Sequence, residues 1–250
     1  MVWVVQPVVG SGKTTWTSVL VDWIRMRKSD TSPISVFEIN SQASPQLASL
    51  GAGGLSPLVS PHSFVSITPD SDLRPFVLDQ VVDHLLAESM FPDVSIVDGP
   101  SDPAQDLFEP GYVRSLHRLL EPRGVRLTVV VIVDESPRSA TYAESVFSAV
   151  GVWASVVVVR NEKEAVRLPW DKLLKSNPSA FPEIVELRLP GLTSDVRSLM
   201  DGSSIGRCLT LREIAQQTFD LFAQKRAESV WTDISAQLDR HAELFLADPS

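Results

Sequence analysis

QPVVGSGKTT, at residues 6–15, is the most informative segment of this chain. A short β-branched run, VWVV at 2–5, comes before it, and a segment with helical spacing begins near Lys13. A strand that runs through a glycine loop into a helix is the context in which G-x-G-K-T binds phosphate. Backbone N–H groups and the helix N-terminus then face the ligand, so the stretch predicts a phosphate-binding loop.

The second half of this stretch supplies the predicted binding residues. Gly12 leaves the backbone bare, Lys13 reaches the terminal phosphates, and the Thr14 hydroxyl ligates Mg²⁺. The nucleotide-binding residues are therefore predicted to be Gly10, Ser11, Gly12, Lys13, Thr14 and Thr15. The alternative is a chance G-x-G-K-T in a surface turn, and the strand and helix on either side weigh against it.

Short β-branched runs alternate with longer helical segments along most of the chain, which favours a parallel sheet covered by helices. Continuous apolar runs are typical of strands buried on both faces. We predict strands at 2–6, 34–39, 94–98, 127–133, 155–159 and 184–189, and helices at about 13–28, 73–90, 104–121, 138–150 and 163–176. The predicted fold is a three-layer α/β P-loop NTPase fold, with a mostly parallel central sheet and helices on both faces, in a single domain over 1–250.

Two stretches depart from the alternation. Residues 41–72 are rich in Ser, Pro and Gly and predict either a surface loop, with a short strand at 64–67, or a mobile segment over a site or a subunit contact. From about 209 to 246 the pattern is helical alone, with Leu211, Ile214 and Phe222 on one predicted face. Its polar side chains are of mixed charge, which favours packing or a protein partner over membrane attachment.

Composition excludes several classes of protein. The formal net charge of −9 makes direct DNA binding unlikely, because the phosphates of DNA require clustered Lys and Arg. A single cysteine, Cys208, allows no intrachain disulfide and no cysteine metal cluster. The start of the chain has no basic lead, and no apolar run is long enough to span a bilayer. We therefore expect a cytoplasmic protein without integral membrane association.

A second acidic position is needed to hold Mg²⁺ opposite the loop. Asp98 ends the apolar run VSIVD and precedes Gly-Pro, which places its carboxylate at the carboxyl edge of the predicted sheet. Asp-Gly also favours a simple turn by itself. We predict that Asp98 and Thr14 are the metal ligands.

The segments QPVVGSGKTT, ISVFEINSQ and VSIVDGPSD together resemble the ParA/MinD group of P-loop ATPases, in their order and approximate spacing. This group includes plasmid-partition and conjugation-associated members. With Gln6 before the loop, the chain resembles the plasmid transfer and stability branch of the group. The resemblance implies ATP and Mg²⁺ as cofactors and a homodimer or a protein partner. It also implies that Lys13, Asn40 and Asp98 hold the catalytic positions.

The chain departs from the group at two of its functional positions. The group's loop reads K-G-G-x-G-K-S/T, and its first lysine reaches across a nucleotide-sandwich dimer; Val8 stands at that position here, after Pro7. Asn40 stands where the group has an Asp that orients the attacking water. An amide binds water but does not take its proton. These departures predict slow hydrolysis more readily than lost binding.

Polar residues after two other predicted strands are further candidates. In related ATPases a residue at the place of Asn161 contacts the adenine edge, so the resemblance implies that Asn161 binds the base; a cap for the following helix is the alternative. Asp134 and Glu135 end another strand, where a solvated strand end is favoured over a ligand site.

The predicted function is a ParA/MinD-like nucleotide switch, in plasmid or DNA partition, stability or conjugative transfer, with slow or partner-stimulated ATP hydrolysis. One alternative is a P-loop small-molecule kinase or ligase, which would turn over ATP only with an acceptor. Another is a nucleotide-binding interaction protein that has lost hydrolysis, which Pro7, Val8 and Asn40 favour. Fold alone does not choose among them.

Overall fold

The centre of the molecule is a seven-stranded sheet. The computed structural model describes residues 1–5, 12–28, 34–39, 64–67, 94–99, 110–162, 169–176, 184–206, 208–216 and 220–246. The strands are β1 (Val2–Val5), β2 (Ile34–Ile39), β3 (Phe64–Ile67), β4 (Val94–Asp98), β5 (Thr128–Val133), β6 (Ser155–Glu162) and β7 (Val185–Pro190). Their order is β3-β2-β4-β1-β5-β6-β7, and every neighbouring pair is parallel.

Among the described residues, four helices connect strands of the sheet and three follow the last strand. They are α1 (Lys13–Arg27), α2 (Pro110–Leu120), α3 (Pro137–Val150), α4 (Pro169–Ser176), α5 (Ser194–Met200), α6 (Leu211–Gln216) and α7 (Leu221–Arg240). Short 3₁₀ turns follow α2 at Glu121–Arg123 and α7 at Ala242–Leu244. None of the described helices is both long and apolar enough to cross a membrane.

Two hydrophobic cores lie on opposite faces of the sheet. Alternate strand residues point to opposite faces, and the central strands are apolar on both. On one face, Val4, Val130 and Val157 pack with residues of α1, α5, α6 and α7. On the other, Val131 and Val158 pack with residues of α2, α3 and α4. The predicted three-layer α/β fold with a parallel sheet is confirmed.

Most predicted elements match the structure, with some differences in extent. The short strand predicted at 64–67 is present as an edge strand, whereas helix 73–90 lies outside the described residues, as do 104–109 and 163–168. β6 runs to Glu162, so Asn161 belongs to the strand and does not follow it. Helix α5 was not predicted, and the helical segment predicted at about 209–246 divides into α6 and α7.

The C-terminal helix α7 packs against the sheet edge and against α1. The side-chain amide of Gln237 accepts from the Arg188 backbone N–H at 2.7 Å and donates to the Arg188 carbonyl at 3.2 Å. The Trp23 indole of α1 donates to Asp239 Oδ1 at 2.9 Å, and Arg27 pairs with the same carboxylate. The packing expected for this segment is confirmed at Ile234 and Leu238, which are fully buried.

Two local expectations were wrong. Phe222 does not share the buried face of Leu211 and Ile214, because it lies in the first turn of α7 with its side chain 77% exposed. Asp134 is not a solvated strand end: it is buried and accepts from the Ser136 N–H and the Ser139 hydroxyl at the start of α3. It therefore serves the turn between β5 and α3.

A buried polar contact joins the second half of α1 to α6. The Thr210 hydroxyl accepts from the Glu213 N–H and the Glu213 carboxylate accepts from the Thr210 N–H, a capping box that starts α6. Burial raises the pKa of the neighbouring Asp22 carboxyl, while a hydrogen bond from Thr210 and the charge of Arg25 act in the opposite direction. α6 is thereby fixed to the helix that follows the glycine loop.

Candidate functional site

The site lies at the carboxyl edge of the sheet, where β1 and β4 are neighbours. Val4 of β1 is in register with Asp98, the last residue of β4. Because the strands are parallel, the chain leaves both at the same edge, and α1 begins beside Asp98. The two sequence segments that predict phosphate and metal binding are thus brought together around the Asp98 carboxylate, which contacts both Lys13 and Thr14.

Gly12 starts α1 in a conformation that other residues rarely adopt. Its φ is 98° and its ψ 14°, in the left-handed region, and its carbonyl accepts the first helical hydrogen bond from Trp16 N–H at 2.9 Å. It has no side chain to cap the helix, and the first turn contains no acidic residue. The positive end of α1 is therefore suited to an anion.

Asn161 lies directly against this glycine. A Cβ atom added to Gly12 would stand 2.6 Å from Asn161 Nδ2 and 3.4 Å from Leu189 Cδ2. Asn161 is 5% exposed, and it is in register with Leu189 on β7. The ends of β6 and β7 therefore lie close to the start of α1, and the predicted base-binding residue is next to Gly12.

Lys13 and Asp98 form a buried ion pair. Lys13 Nζ lies 2.7 Å from Asp98 Oδ2, and the side chains are 2% and 0% exposed. Two charges removed from water require each other, because either one alone would lack compensation. Lys13 thus lies against the carboxylate that is predicted to bind metal.

Two threonines of α1 complete the surroundings of Asp98. The Thr14 hydroxyl donates to Asp98 Oδ2 at 3.3 Å, and the Thr17 hydroxyl donates to Oδ1 at 2.9 Å. Both follow from helix geometry, because residues three and four positions apart lie on the same helix face. Asp98 therefore receives hydrogen bonds on both oxygens.

Gly99 allows β4 to end this close to β1. Its N–H donates to the Val4 carbonyl at 2.9 Å. A Cβ added to Gly99 would stand 2.9 Å from that carbonyl oxygen and 3.2 Å from Trp3 Nε1. Only a residue without a side chain fits between these groups, so Gly99 fixes the position at which Asp98 leaves the sheet.

These residues suit ATP and Mg²⁺ as a donor set. A hydroxyl and a carboxylate oxygen 3.3 Å apart are hard oxygen ligands of the kind that Mg²⁺ takes together with phosphate oxygens. The bare backbone at Gly12 and the uncapped helix start are suited to phosphate. Thr15 is half-buried in the same first turn, whereas Gly10, Ser11 and Asn40 lie outside the described residues.

Sequence reasoning missed Thr17 and Gly99. The signal for Thr17 was its place four residues after Lys13, on the helix face that carries the lysine. Gly99 was noted only as half of a turn-forming Asp-Gly pair. Its contact with Val4 joins positions 95 residues apart, and chain order alone does not show such an approach.

Comparisons with known proteins gave matches among solved structures only. No protein-family model and no curated protein matches the chain. The fold is similar to that of the MinD cell division protein of Aquifex aeolicus, with 14% identity over 96% of this chain and 97% of that one and a TM-score of 0.46. It is also similar to a ParA family ATPase from Chlorobium tepidum TLS, with 14% identity over 92% and 98% and a TM-score of 0.47. Both similarities concern the overall architecture, a parallel sheet with helices on its two faces.

Proposed function

We propose that this chain binds ATP with Mg²⁺ and acts as a ParA/MinD-like nucleotide switch. The observation that carries the proposal is the buried Lys13–Asp98 pair beside Gly12 at the start of α1. A buried lysine at the first residue of a helix whose start is suited to anions is placed to hold a phosphate. Thr14 and Asp98 would hold Mg²⁺, which supplies positive charge against the phosphates.

The ion pair gives the site a requirement for a second cation. Lys13 is the charged partner that the structure gives to Asp98 Oδ2, at 2.7 Å. If Lys13 turns to a phosphate, the buried carboxylate is left without compensation unless another cation replaces the ammonium. Nucleotide binding by this chain should therefore depend strongly on magnesium.

Hydrolysis, if it occurs, is proposed to be slow. Phosphoryl transfer relies mainly on positioning and charge neutralisation, which Lys13 and Asp98 would supply. Val8 and Asn40 replace the two group residues that reach the partner's phosphates and orient water. We propose a cytoplasmic protein in which ATP favours a homodimer or a protein partner. The proposed process is plasmid partition, stability or conjugative transfer, a proposal that comes from the sequence resemblance.

A nucleotide titration with substitutions at Lys13 tests the proposal. Labelled ATP and ADP are titrated against wild type and Lys13→Ala, with and without Mg²⁺. We expect wild type to bind ATP only with magnesium. Lys13→Ala should bind ATP at least tenfold more weakly, which corresponds to a loss of about 1.4 kcal/mol in binding free energy. Lys172→Ala, at an exposed lysine of α4, is the matched control and should bind like wild type.

Lys13→Ala is also expected to lose stability, by about 3–5 kcal/mol, because it leaves Asp98 buried without its cation. Lys13→Gln keeps an N–H donor for Asp98 and guards against a fold defect being mistaken for a binding defect. Wild type that binds neither nucleotide, or folded Lys13→Gln that binds as tightly as wild type, would contradict the proposal.

A further inference from the structure

The two oxygens of Asp98 have different partners. Oδ2 faces Lys13 Nζ at 2.7 Å and the Thr14 hydroxyl at 3.3 Å, the two residues predicted to act on phosphate and metal. Oδ1 accepts instead from the Thr17 hydroxyl at 2.9 Å. The carboxylate thus has one oxygen directed to the predicted chemistry and one held by a residue to which no role has been assigned.

Thr17 is well suited to hold an oxygen in place. It is fully buried in the second turn of α1, and its branched side chain restricts rotation about χ1. A threonine within a helix often donates to the carbonyl four residues earlier. Here the hydroxyl donates to a strand 81 residues away in sequence, so its contact fixes the geometry between α1 and β4.

Without such a contact the carboxylate group would be less well defined. Rotation about the terminal torsion of Asp is broad and roughly two-fold, so its oxygens readily exchange places or take intermediate angles. A hydrogen bond to one oxygen selects one orientation. Outer-sphere partners of this kind typically change metal affinity by about 10–100-fold when they are removed.

We propose that Thr17 is a positioning residue for magnesium at the nucleotide site. By holding Oδ1, it presents Oδ2 of Asp98 to a cation: to Lys13 when the site is at rest, and to Mg²⁺ when nucleotide is bound. This inference rests on the proposed function, and it adds a residue that neither the loop motif nor the acidic strand end contains.

The test measures how much magnesium is needed for ATP binding. Labelled ATP is held at a fixed concentration and Mg²⁺ is titrated against wild type, Thr17→Val and Thr17→Ser. Thr17→Val keeps the shape without the hydroxyl and should raise the magnesium midpoint by about 10-fold or more. Thr17→Ser keeps the hydroxyl and should restore a midpoint close to that of wild type. In excess chelator none of the three proteins should bind ATP.

Thr128→Val is the matched control. The Thr128 hydroxyl is also buried and donates to the Leu244 carbonyl at 2.6 Å. It lies at the start of β5, whereas the candidate site lies at the carboxyl ends of the strands. Its removal should leave the magnesium midpoint unchanged. If Thr17→Val does not fold, Thr17→Cys takes its place, because cysteine keeps a weak donor of similar size. Its magnesium midpoint should lie between that of wild type and the midpoint expected for Thr17→Val.

The outcomes separate this inference from the proposed function. If wild type needs magnesium and folded Thr17→Val has the same midpoint, the positioning role is wrong while the nucleotide site stands. An equal loss in Thr17→Val and Thr17→Ser would show that packing matters and the hydroxyl does not, which also overturns it. If wild type binds no ATP at any magnesium concentration, both proposals fail together.

Discussion

Gly12 carries two separate constraints at the scale of a single residue. Its φ of 98° is unfavourable for any residue with a Cβ, by about 1–2 kcal/mol, and a Cβ there would also meet Asn161 Nδ2 at 2.6 Å. We predict that Gly12→Ala lowers the free energy of unfolding, measured in urea, by more than this cost of positive φ, because the Cβ also meets Asn161. ATP affinity should fall as well.

Gly124 provides the matched comparison for Gly12. Its φ is also positive, 70°, but an added Cβ would meet nothing within 4 Å. Gly124→Ala should therefore lower the free energy of unfolding only by the cost of placing a residue with a Cβ at positive φ. Adding Asn161→Ala to Gly12→Ala should recover part of the difference. Equal losses at the two glycines would mean that the contact with Asn161 has no energetic weight.

Single residues of the site differ in how far the sequence reveals them. Lys13, Thr14 and Asp98 were predicted because each stands at a strand or helix end of recognisable type, and the structure brings them within hydrogen-bond distance. Thr17 and Gly99 act through contacts between α1 and β4 and between β4 and β1. Such contacts depend on which strands become neighbours, which local pattern does not state.

At the scale of elements, α7 satisfies part of the exposed edge of the sheet. β7 is an edge strand, and Gln237 bonds both backbone groups of Arg188, as a neighbouring strand would. We predict that Gln237→Ala lowers the free energy of unfolding by about 1–3 kcal/mol, because a donor and an acceptor lose their partner. Chemical denaturation measures this.

Gln224→Ala, in the same helix, is the control for Gln237→Ala. Gln224 makes one long hydrogen bond, at 3.4 Å, to the Ala215 carbonyl, and its loss should cost well under 1 kcal/mol. Similar losses for the two variants would show that α7 stabilises the edge through its apolar contacts and not through the Gln237 amide.

Elements with strong apolar runs were predicted well, and those with mixed composition were not. β5 is buried at every position, and its bounds differ from the prediction by one residue. β6 extends past its apolar run because Asn161 and Glu162 pair with β7, a tertiary contact that overrides their polarity. α5 has only seven residues, too few for helical spacing to become distinct.

At the scale of the whole molecule, charge and sequence bear on association. The net charge of −9 makes two copies repel. The sequence resemblance further implies that Val8 stands where a lysine would reach the phosphates of the partner. We nevertheless expect ATP with Mg²⁺ to convert monomer to dimer at raised protein concentration, because the proposed switch needs two states. Sedimentation velocity with ATP, ADP and no nucleotide measures it.

Lys13→Ala should remain monomeric under all three sedimentation conditions, since the expected association depends on bound nucleotide. An unchanged sedimentation coefficient for ATP-bound wild type would contradict the proposed homodimer. A different protein would then be the partner that responds to bound nucleotide. A dimer of equal population without nucleotide would separate association from ATP altogether.

The fold class of the whole chain followed from its alternating segments, but the strand order did not. The apolar runs show that both faces of the sheet are covered. They carry no information on why β1 lies between β4 and β5, which depends on the packing of the crossover connections. The contact between Asn161 and Gly12 follows from that order, and it could not be predicted for the same reason.

Helix α1 is held at both of its ends, which has a mechanical consequence. It is a continuous rod of 15 residues, about 22 Å long, without an interior glycine or proline at which to bend. Lys13 fastens its first turn to β4, while Trp23 and Arg27 fasten its far end to Asp239 of α7. Because the rod has no point at which to bend, we expect a displacement of its first turn to shift its contacts with Asp239 as well.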